Sequence, residues 1–114
     1  DLEKEVLSFA NWRLYPASRQ LFDNNHAELQ LSAGEYDLLL AFVRQPQCIL
    51  GREFLLQITK SGDLSLFDRR IDVQISRLRQ KIETDARHPA LIKTIRNAGY
   101  LFTSSVNISK EIHA

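Results

Sequence analysis

Apolar residues recur at helical spacing most regularly between residues 68 and 83. They occur at steps of four, three and four residues, at Ile71, Ile75, Leu78 and Ile82. An α-helix turns once in about 3.6 residues, so this spacing predicts one helix with a buried apolar stripe. A polar pattern with the same spacing runs one residue earlier, through Arg70, Gln74, Arg77 and Lys81. The segment therefore predicts a helix over 68–83 with a cationic and amide-bearing surface beside its stripe.

Bulky apolar residues also flank a short polar turn near the end of the chain. Segments 91–95 and 100–103 carry them, and Arg96-Asn97-Ala98-Gly99 lies between the two segments. Asn97 and Gly99 tolerate the positive φ that tight turns require. The pattern predicts a β-hairpin, with Arg96 near its tip.

Shorter patterns predict the elements of the first half of the chain. Strands are expected over 7–14, 19–22 and 27–31 as an antiparallel meander, with positive φ at 24–25. Ser32-Ala33-Gly34-Glu35 has the sequence of a capping box and predicts a helix that ends before Pro46. A further helix opens at Gly51, which lacks the hydroxyl acceptor of the best N-caps. These elements predict an α+β fold with a meander, three helices and a C-terminal hairpin.

Length and composition are those of one small domain. A chain of 114 residues can form a single core, which we assign to 7–103, with a linker remnant over 1–6 and a frayed polar tail over 104–114. Cys48 is the one cysteine, so no intramolecular disulfide forms, and we expect it to be a small packing residue. No run approaches the roughly 20 apolar residues of a membrane span. A cytoplasmic location is expected.

Charge is distributed unevenly along the chain, although its formal sum is only +1. Residues 1–68 hold six basic and ten acidic groups, a net −4. Residues 69–96 hold eight basic and three acidic groups, a net +5, and these include the predicted helix and hairpin. Cations concentrated on two such elements are typical of a DNA-binding surface. The alternative for the helix alone is a solvated charged face.

Helix and hairpin together resemble the winged helix-turn-helix effector domain of OmpR/PhoB-type response regulators. The resemblance extends from about residue 7 to residue 102. It rests on two runs, Asp68-Arg69-Arg70-Ile71-Asp72-Val73-Gln74-Ile75-Ser76-Arg77-Leu78-Arg79 and Ile92-Lys93-Thr94-Ile95-Arg96-Asn97-Ala98-Gly99-Tyr100. It implies sequence-specific binding of double-stranded DNA for transcription regulation. The 68–83 helix would enter the major groove, and the hairpin, or wing, over 91–103 would enter a minor groove.

Resemblance and helical geometry together indicate the DNA-contacting residues. Gln74 and Arg77 are expected at base edges, with Val73 at a thymine methyl and Ser76 at a base or phosphate. Phosphate contacts are expected from Arg69, Arg70, Arg79 and Thr94, and a minor-groove contact from Arg96. Asp72 is expected to pair with an arginine of the same chain, and Lys81 to be solvated.

The resemblance also implies partners outside this segment. Loop 60–67 would contact RNA polymerase. A receiver domain, phosphorylated by a sensor kinase in a two-component phosphorelay, would promote dimerisation on tandem DNA half-sites. A membrane-anchored transcription activator is an alternative parent, and a winged-helix module for protein partners is an alternative function. The sequence offers no catalytic constellation, metal-ligand cluster or phosphate-binding glycine loop, so neither an enzyme nor a cofactor is expected.

Overall fold

The computed structural model describes residues 3–59 and 70–112, which form two antiparallel sheets and three helices. The elements, in chain order, are β1 (Glu3–Phe9), β2 (Trp12–Tyr15), β3 (Gln20–Phe22), β4 (Glu28–Leu29), α1 (Ala33–Arg44), β5 (Ile49–Leu50), α2 (Arg52–Ile58), α3 (Arg70–Ile82), β6 (Ile92–Ile95), β7 (Gly99–Phe102) and β8 (Asn107–Ile112). The larger sheet has the order β4-β3-β2-β1-β8, and the smaller has the order β5-β7-β6. This confirms the α+β class and the predicted meander, helices and hairpin.

The N-terminal sheet turns a row of leucines towards the helices. Leu7 pairs with Leu14, and Leu14 pairs with Leu21, so their side chains lie on one face. None of the three is more than 1% exposed, and all belong to the core that includes Phe42 and Phe102. The indole of Trp12 donates to the Ile82 carbonyl at 3.2 Å. The sheet therefore supports the C-terminal end of α3.

The prediction of one strand over 7–14 is wrong, because the chain reverses between β1 and β2. Ala10, in the turn, has a φ of 48°. In a single strand, Phe9 and Trp12 would face opposite sides, since they lie three positions apart and successive side chains alternate between the two faces. The hairpin pairs them directly, so both pack against the core.

Three further expectations for this sheet also fail. Residues 3–6, assigned to a linker remnant, form the first part of β1, and Val6 there is 0% exposed. Residues 107–112, predicted to be frayed, form β8, which pairs with β1 from Ser8–Asn107 to Glu3–Ile112. The mostly polar sequence of β8 gave no local indication of a strand, because this strand forms by pairing with the edge of β1, which lies about 100 residues earlier in the chain. The positive φ expected at 24–25 occurs at His26, with φ 62°, since Asp23 Oδ1 accepts two turn amides.

Helix α1 begins as its sequence predicts. The Ser32 hydroxyl accepts the Glu35 amide at 3.2 Å, and Glu35 Oε1 accepts the Ser32 amide at 2.9 Å, which completes the capping box. Gly51 caps α2 without a side-chain hydrogen bond. The apolar stripe of α3 is buried, since Ile71, Ile75 and Leu78 are 0% exposed.

The wing consists of β6, β7 and the turn between them. Asn97 has φ 64° and Gly99 has φ 143°, which confirms both predicted positions of positive φ. A Cβ at Gly99 would overlap the backbone of Leu50 in β5, so glycine is required there by space as well as by conformation. The wing is thus joined to β5, which leads directly into α2.

Cys48 does not pack in the core: it is exposed in the connection before β5, so that expectation is wrong. It lies between Gln47 and Ile49, which are also exposed. Within residues 3–59 and 70–112, no helix has both the length and the apolar content needed to cross a bilayer.

Candidate nucleic-acid interface

The sides of helix α3 face different parts of the domain. Its buried stripe faces the core, Gln74 and Lys81 border α1, and Asp72 and Arg79 border the wing. The remaining side, at about 100° of rotation per residue, carries the exposed residues Val73, Ser76, Arg77 and Gln80. The sequence separated one apolar stripe from one polar surface, whereas the structure divides that polar surface into three parts.

Lys81 joins α3 to the beginning of α1. Its Nζ donates to Glu35 Oε1 at 2.6 Å and to the Gln30 carbonyl at 3.1 Å. The expectation that Lys81 is only solvated is therefore wrong. Burial raises the pKa of Glu35, but hydrogen bonds from Lys81 and from the Ser32 backbone outweigh it, so that pKa lies below its ordinary value. The capping carboxylate of α1 is thus held ionised by a cation of α3.

On the side facing the wing, Arg79 is bound to β6. Its Nε and Nη2 donate to the Ile92 carbonyl at 3.1 and 2.7 Å, and Nη2 also donates to Thr94 Oγ1 at 2.9 Å. The guanidinium carbon lies 5.5 Å from the centre of the Tyr100 ring. Arg79, predicted as a phosphate contact, therefore fixes the wing against α3 in the structure.

Glu83 follows α3 and holds the strand that starts the wing. Its carboxylate accepts the backbone amides of Ala90, Leu91 and Ile92, at 2.8 to 3.0 Å. Nothing in the local sequence indicated this contact, since seven residues separate Glu83 from the first of these amides. Arg79 and Glu83 together determine the position of β6 relative to α3.

Asp72 is at the centre of a second link between helix and wing. Arg52 Nη1 donates to both Asp72 carboxylate oxygens at 2.6 Å, which confirms the predicted arginine partner. The Tyr100 hydroxyl donates to Asp72 Oδ1. Burial of Tyr100 and this bond to Asp72 raise the pKa of Tyr100 to about 12, so the phenol remains a proton donor throughout the neutral range. One carboxylate therefore joins α2, α3 and β7.

The exposed side of α3 contains three of the predicted DNA contacts. Ser76 and Arg77 are exposed, and Val73 is 45% exposed. Gln80 lies on the same side, seven residues after Val73. Gln80 was not among the predicted contacts, although its helical spacing from Val73 and Arg77 places it on the same side.

Gln74, the other predicted base contact, lies at the border with α1. Its Oε1 is buried and has no hydrogen-bond partner among the described residues. Its Nε2 lies over Gly34, near the start of α1. The structure thus places Gln74 beside the exposed surface of α3, with its amide turned away from it.

The predicted wing residues are both exposed. Arg96 lies in the turn between β6 and β7, and Thr94 lies on β6 with its hydroxyl bound by Arg79. Arg70 begins α3, but its side chain lies outside what the structure describes, as do Arg69 and the whole of loop 60–67. The structure therefore brings Val73, Ser76, Arg77, Thr94 and Arg96 to an accessible surface formed by α3 and the wing.

Residues 26–102 match the family model described as "Transcriptional regulatory protein, C terminal". Among curated relatives, the regulatory protein VirG of Rhizobium rhizogenes is 46% identical over 107 residues. That match covers 94% of this chain and 44% of VirG, so the chain spans less than half of that relative.

Two solved DNA-binding domains have the same fold. The RstA domain of Klebsiella pneumoniae, solved in complex with the RstA box, has a TM-score of 0.78 and 35% identity, over 86% of this chain and 96% of that one. The CpxR domain of E. coli has a TM-score of 0.77 and 29% identity, over 88% and 97%. The chain therefore belongs to the family of transcriptional regulatory protein C-terminal domains, the OmpR/PhoB-type winged-helix DNA-binding domains through which response regulators control transcription.

Proposed function

We propose that this domain binds specific sequences in double-stranded DNA, with α3 in the major groove and the wing in the adjacent minor groove. The observation that carries the proposal is the accessible surface formed by Val73, Ser76, Arg77, Thr94 and Arg96, on two elements that are fixed to each other. A helix of 13 residues is about 20 Å long and fits lengthwise in a major groove about 12 Å wide.

Side-chain chemistry assigns the roles on α3. The Arg77 guanidinium can donate two hydrogen bonds to guanine, and the exposed methyl groups of Val73 can contact a thymine methyl. Ser76 can bond a base or a phosphate. Gln74 can bond adenine with its amide after that amide leaves α1, and Gln80 extends the same surface. Arg69 and Arg70, whose side chains the structure does not describe, remain candidates for phosphates at the start of the helix.

The wing supplies the second contact. Arg96 occupies a narrow turn, and a guanidinium there can enter a minor groove, where narrowing strengthens the negative potential. Thr94 can bond a phosphate through its hydroxyl while that hydroxyl accepts from Arg79. The links through Arg79, Glu83 and Asp72 set the distance between helix and wing before DNA arrives, so less conformational freedom is lost on binding.

In the longer protein, we infer that this segment is the effector of a two-component response regulator. A receiver domain phosphorylated by a sensor kinase would control dimerisation on tandem half-sites in the cytoplasm. Loop 60–67 would contact RNA polymerase. Two findings support this arrangement: the family model is described as the C-terminal part of transcriptional regulatory proteins, and more than half of VirG lies outside its match to this chain.

The test is selection of the domain against a randomised duplex pool at two salt concentrations. We expect an enriched motif and an affinity that falls as salt rises, because phosphate contacts release counterions. Arg77→Ala should reduce discrimination at one base pair by about 10-fold or more. Arg13→Ala is the matched control, since it removes one cation from the face of the N-terminal sheet turned away from the helices and should leave the motif unchanged.

Two outcomes would contradict the proposal. If the folded domain enriches no motif at either salt, including when it is fused to a dimerising partner, then the exposed surface of α3 serves a protein partner. If Arg77→Ala weakens binding to selected and random duplexes equally, then Arg77 contacts phosphate and not a base edge.

A further inference from the structure

Gln74 occupies the border between the accessible and the buried parts of α3. At about 100° per residue, its Cβ lies roughly 60° from exposed Arg77 and roughly 40° from buried Leu78. Its side chain can therefore extend either towards α1 or outwards beside Arg77. In the structure it extends towards α1, where its Nε2 lies over Gly34.

Gly34 is what makes that position available. A Cβ at residue 34 would overlap Gln74 Nε2 and would lie only 3.4 Å from Gln74 Cδ. The obstructing atoms are the far end of a flexible side chain, so the Gln74 amide, and not the backbone, would move. Gly34 lies in the first turn of a regular helix and has no positive φ. The absence of a side chain there therefore creates space, and no unusual backbone conformation requires it.

In its position over Gly34, the Gln74 amide lacks one of the hydrogen bonds that it could make. Gln74 Oε1 is buried, and among the described residues nothing donates to it. A buried acceptor without a partner destabilises the conformation that contains it. Outwards, beside Arg77, the same oxygen and nitrogen can bond water or the edge of a base. The two positions should thus differ little in free energy, and a base that bonds the amide can select the outward one.

We propose that Gly34 sets the specificity of the domain by leaving space for the Gln74 amide against α1 in the free protein, a space that the amide leaves to bond a base edge on DNA. This rests on the proposed function, in which α3 lies in the major groove. Gly34 acts through Gln74 and touches no base itself, so it is a positioning residue. The binding-competent position is only partly populated in the free domain, which lowers the apparent affinity for a site that needs Gln74.

Substitution of Gly34 by alanine should raise the affinity of the domain for DNA. In Gly34→Ala the new methyl group fills the space that the Gln74 amide occupies against α1, so the amide already extends outwards before DNA binds. We expect about twofold to tenfold tighter binding to the selected duplex, the range that one hydrogen bond can supply. The gain should disappear when the base pair contacted by Gln74 is replaced. Ala is also a better helix residue than Gly, so the variant should fold at least as stably as the original.

The experiment compares Gly34→Ala, Gln74→Ala, the double variant and the unchanged domain on the selected duplex and on its single base-pair replacements. Gly51→Ala is the matched control, since its added Cβ would meet only the Ala98 carbonyl at 3.9 Å and would leave Gln74 in place. In parallel, the Gln74 side-chain amide resonances of the free domain report the packed position directly. We expect nuclear Overhauser contacts between this amide and the Gly34 α protons in the original domain, because Nε2 lies over Gly34, and we expect no contact between the amide and residue 34 in Gly34→Ala.

Each result has a defined meaning. Tighter, more selective binding by Gly34→Ala that is lost in the double variant supports the proposal. If Gln74→Ala changes preference at one base pair but Gly34→Ala binds like the original domain, then this inference fails and the proposed function stands. If no domain variant selects any DNA sequence, then the proposed function itself fails. Equal gains from Gly34→Ala and Gly51→Ala would also overturn the inference.

Discussion

Replacing Arg79 tests whether this residue holds the wing against α3 in the absence of DNA. Arg79→Ala removes two donors from the Ile92 carbonyl and one from the Thr94 hydroxyl, together with the cation–π contact to Tyr100. Leaving a partly buried carbonyl without its donors costs about 1 to 3 kcal/mol, and an exposed cation–π contact adds about 0.5 to 1 kcal/mol. Because Arg79 is partly solvated, we expect a total loss of about 2 to 3 kcal/mol in the free energy of unfolding.

Denaturant and thermal unfolding of the free domain measure this loss. For a chain of this size the expected decrease in Tm is about 10 °C. Arg77→Ala is the control for folding, because it removes an arginine from the exposed side of the same helix and should change stability by less than about 0.5 kcal/mol. Hydrogen exchange of the β6 amides should become faster in Arg79→Ala alone. If Arg79→Ala unfolds like the Arg77→Ala control, the wing does not depend on Arg79 and our reasoning is refuted.

Three further changes test other contacts. Glu83→Gln should lower the free energy of unfolding by about 1 to 2 kcal/mol, because a neutral amide is a weaker hydrogen-bond acceptor than a carboxylate. Hydrogen exchange of the Leu91 amide should become faster. Unchanged protection of that amide would show that the carboxylate does not hold the strand. Lys81→Met should destabilise the domain above pH 4.5, the ordinary pKa of Glu35, and the deficit relative to the original should shrink as pH falls through the lowered pKa of Glu35. A pH-independent deficit in unfolding experiments would argue against the ion pair. Cys48 should react fully with a thiol reagent in the native domain, and reaction only after denaturation would mean that it is buried.

The elements that sequence predicted best are those whose signals are local. The stripe of α3 depends on helical periodicity, the start of α1 on a capping box, and the wing turn on two residues that accept positive φ. Each of these signals lies within about 15 consecutive residues, and each was confirmed. The resemblance to a family then supplied their arrangement, which the local signals do not contain.

The features that were predicted wrongly depend on partners distant in the chain. Strand β8 forms because β1 offers it an unpaired edge, and polar residues with little strand signal of their own complete the pairing. Lys81 was expected in solvent because its helix side appeared uniformly polar. Its partner, Glu35, lies 46 residues earlier, and only the packing of α1 on α3 brings the two together. A single sequence cannot assign a polar residue to a neighbour that the fold alone selects.

This division of the polar surface of α3 changes how its charge should be interpreted. Lys81 is paired with Glu35, whereas Arg79 is bound to neutral oxygens and retains its full charge. A charge acts over roughly 8 Å at physiological ionic strength, so Arg79 can attract DNA without touching a phosphate. Weaker DNA binding by Arg79→Ala would therefore not establish a contact, because it would follow from a lost field, a loosened wing or both. Arg79→Lys keeps the charge but cannot reproduce the bidentate donation to Ile92. If this variant regains DNA affinity but not stability, the role of Arg79 in binding is to attract DNA by its charge. If it regains neither, the role of Arg79 is to fix the wing against α3.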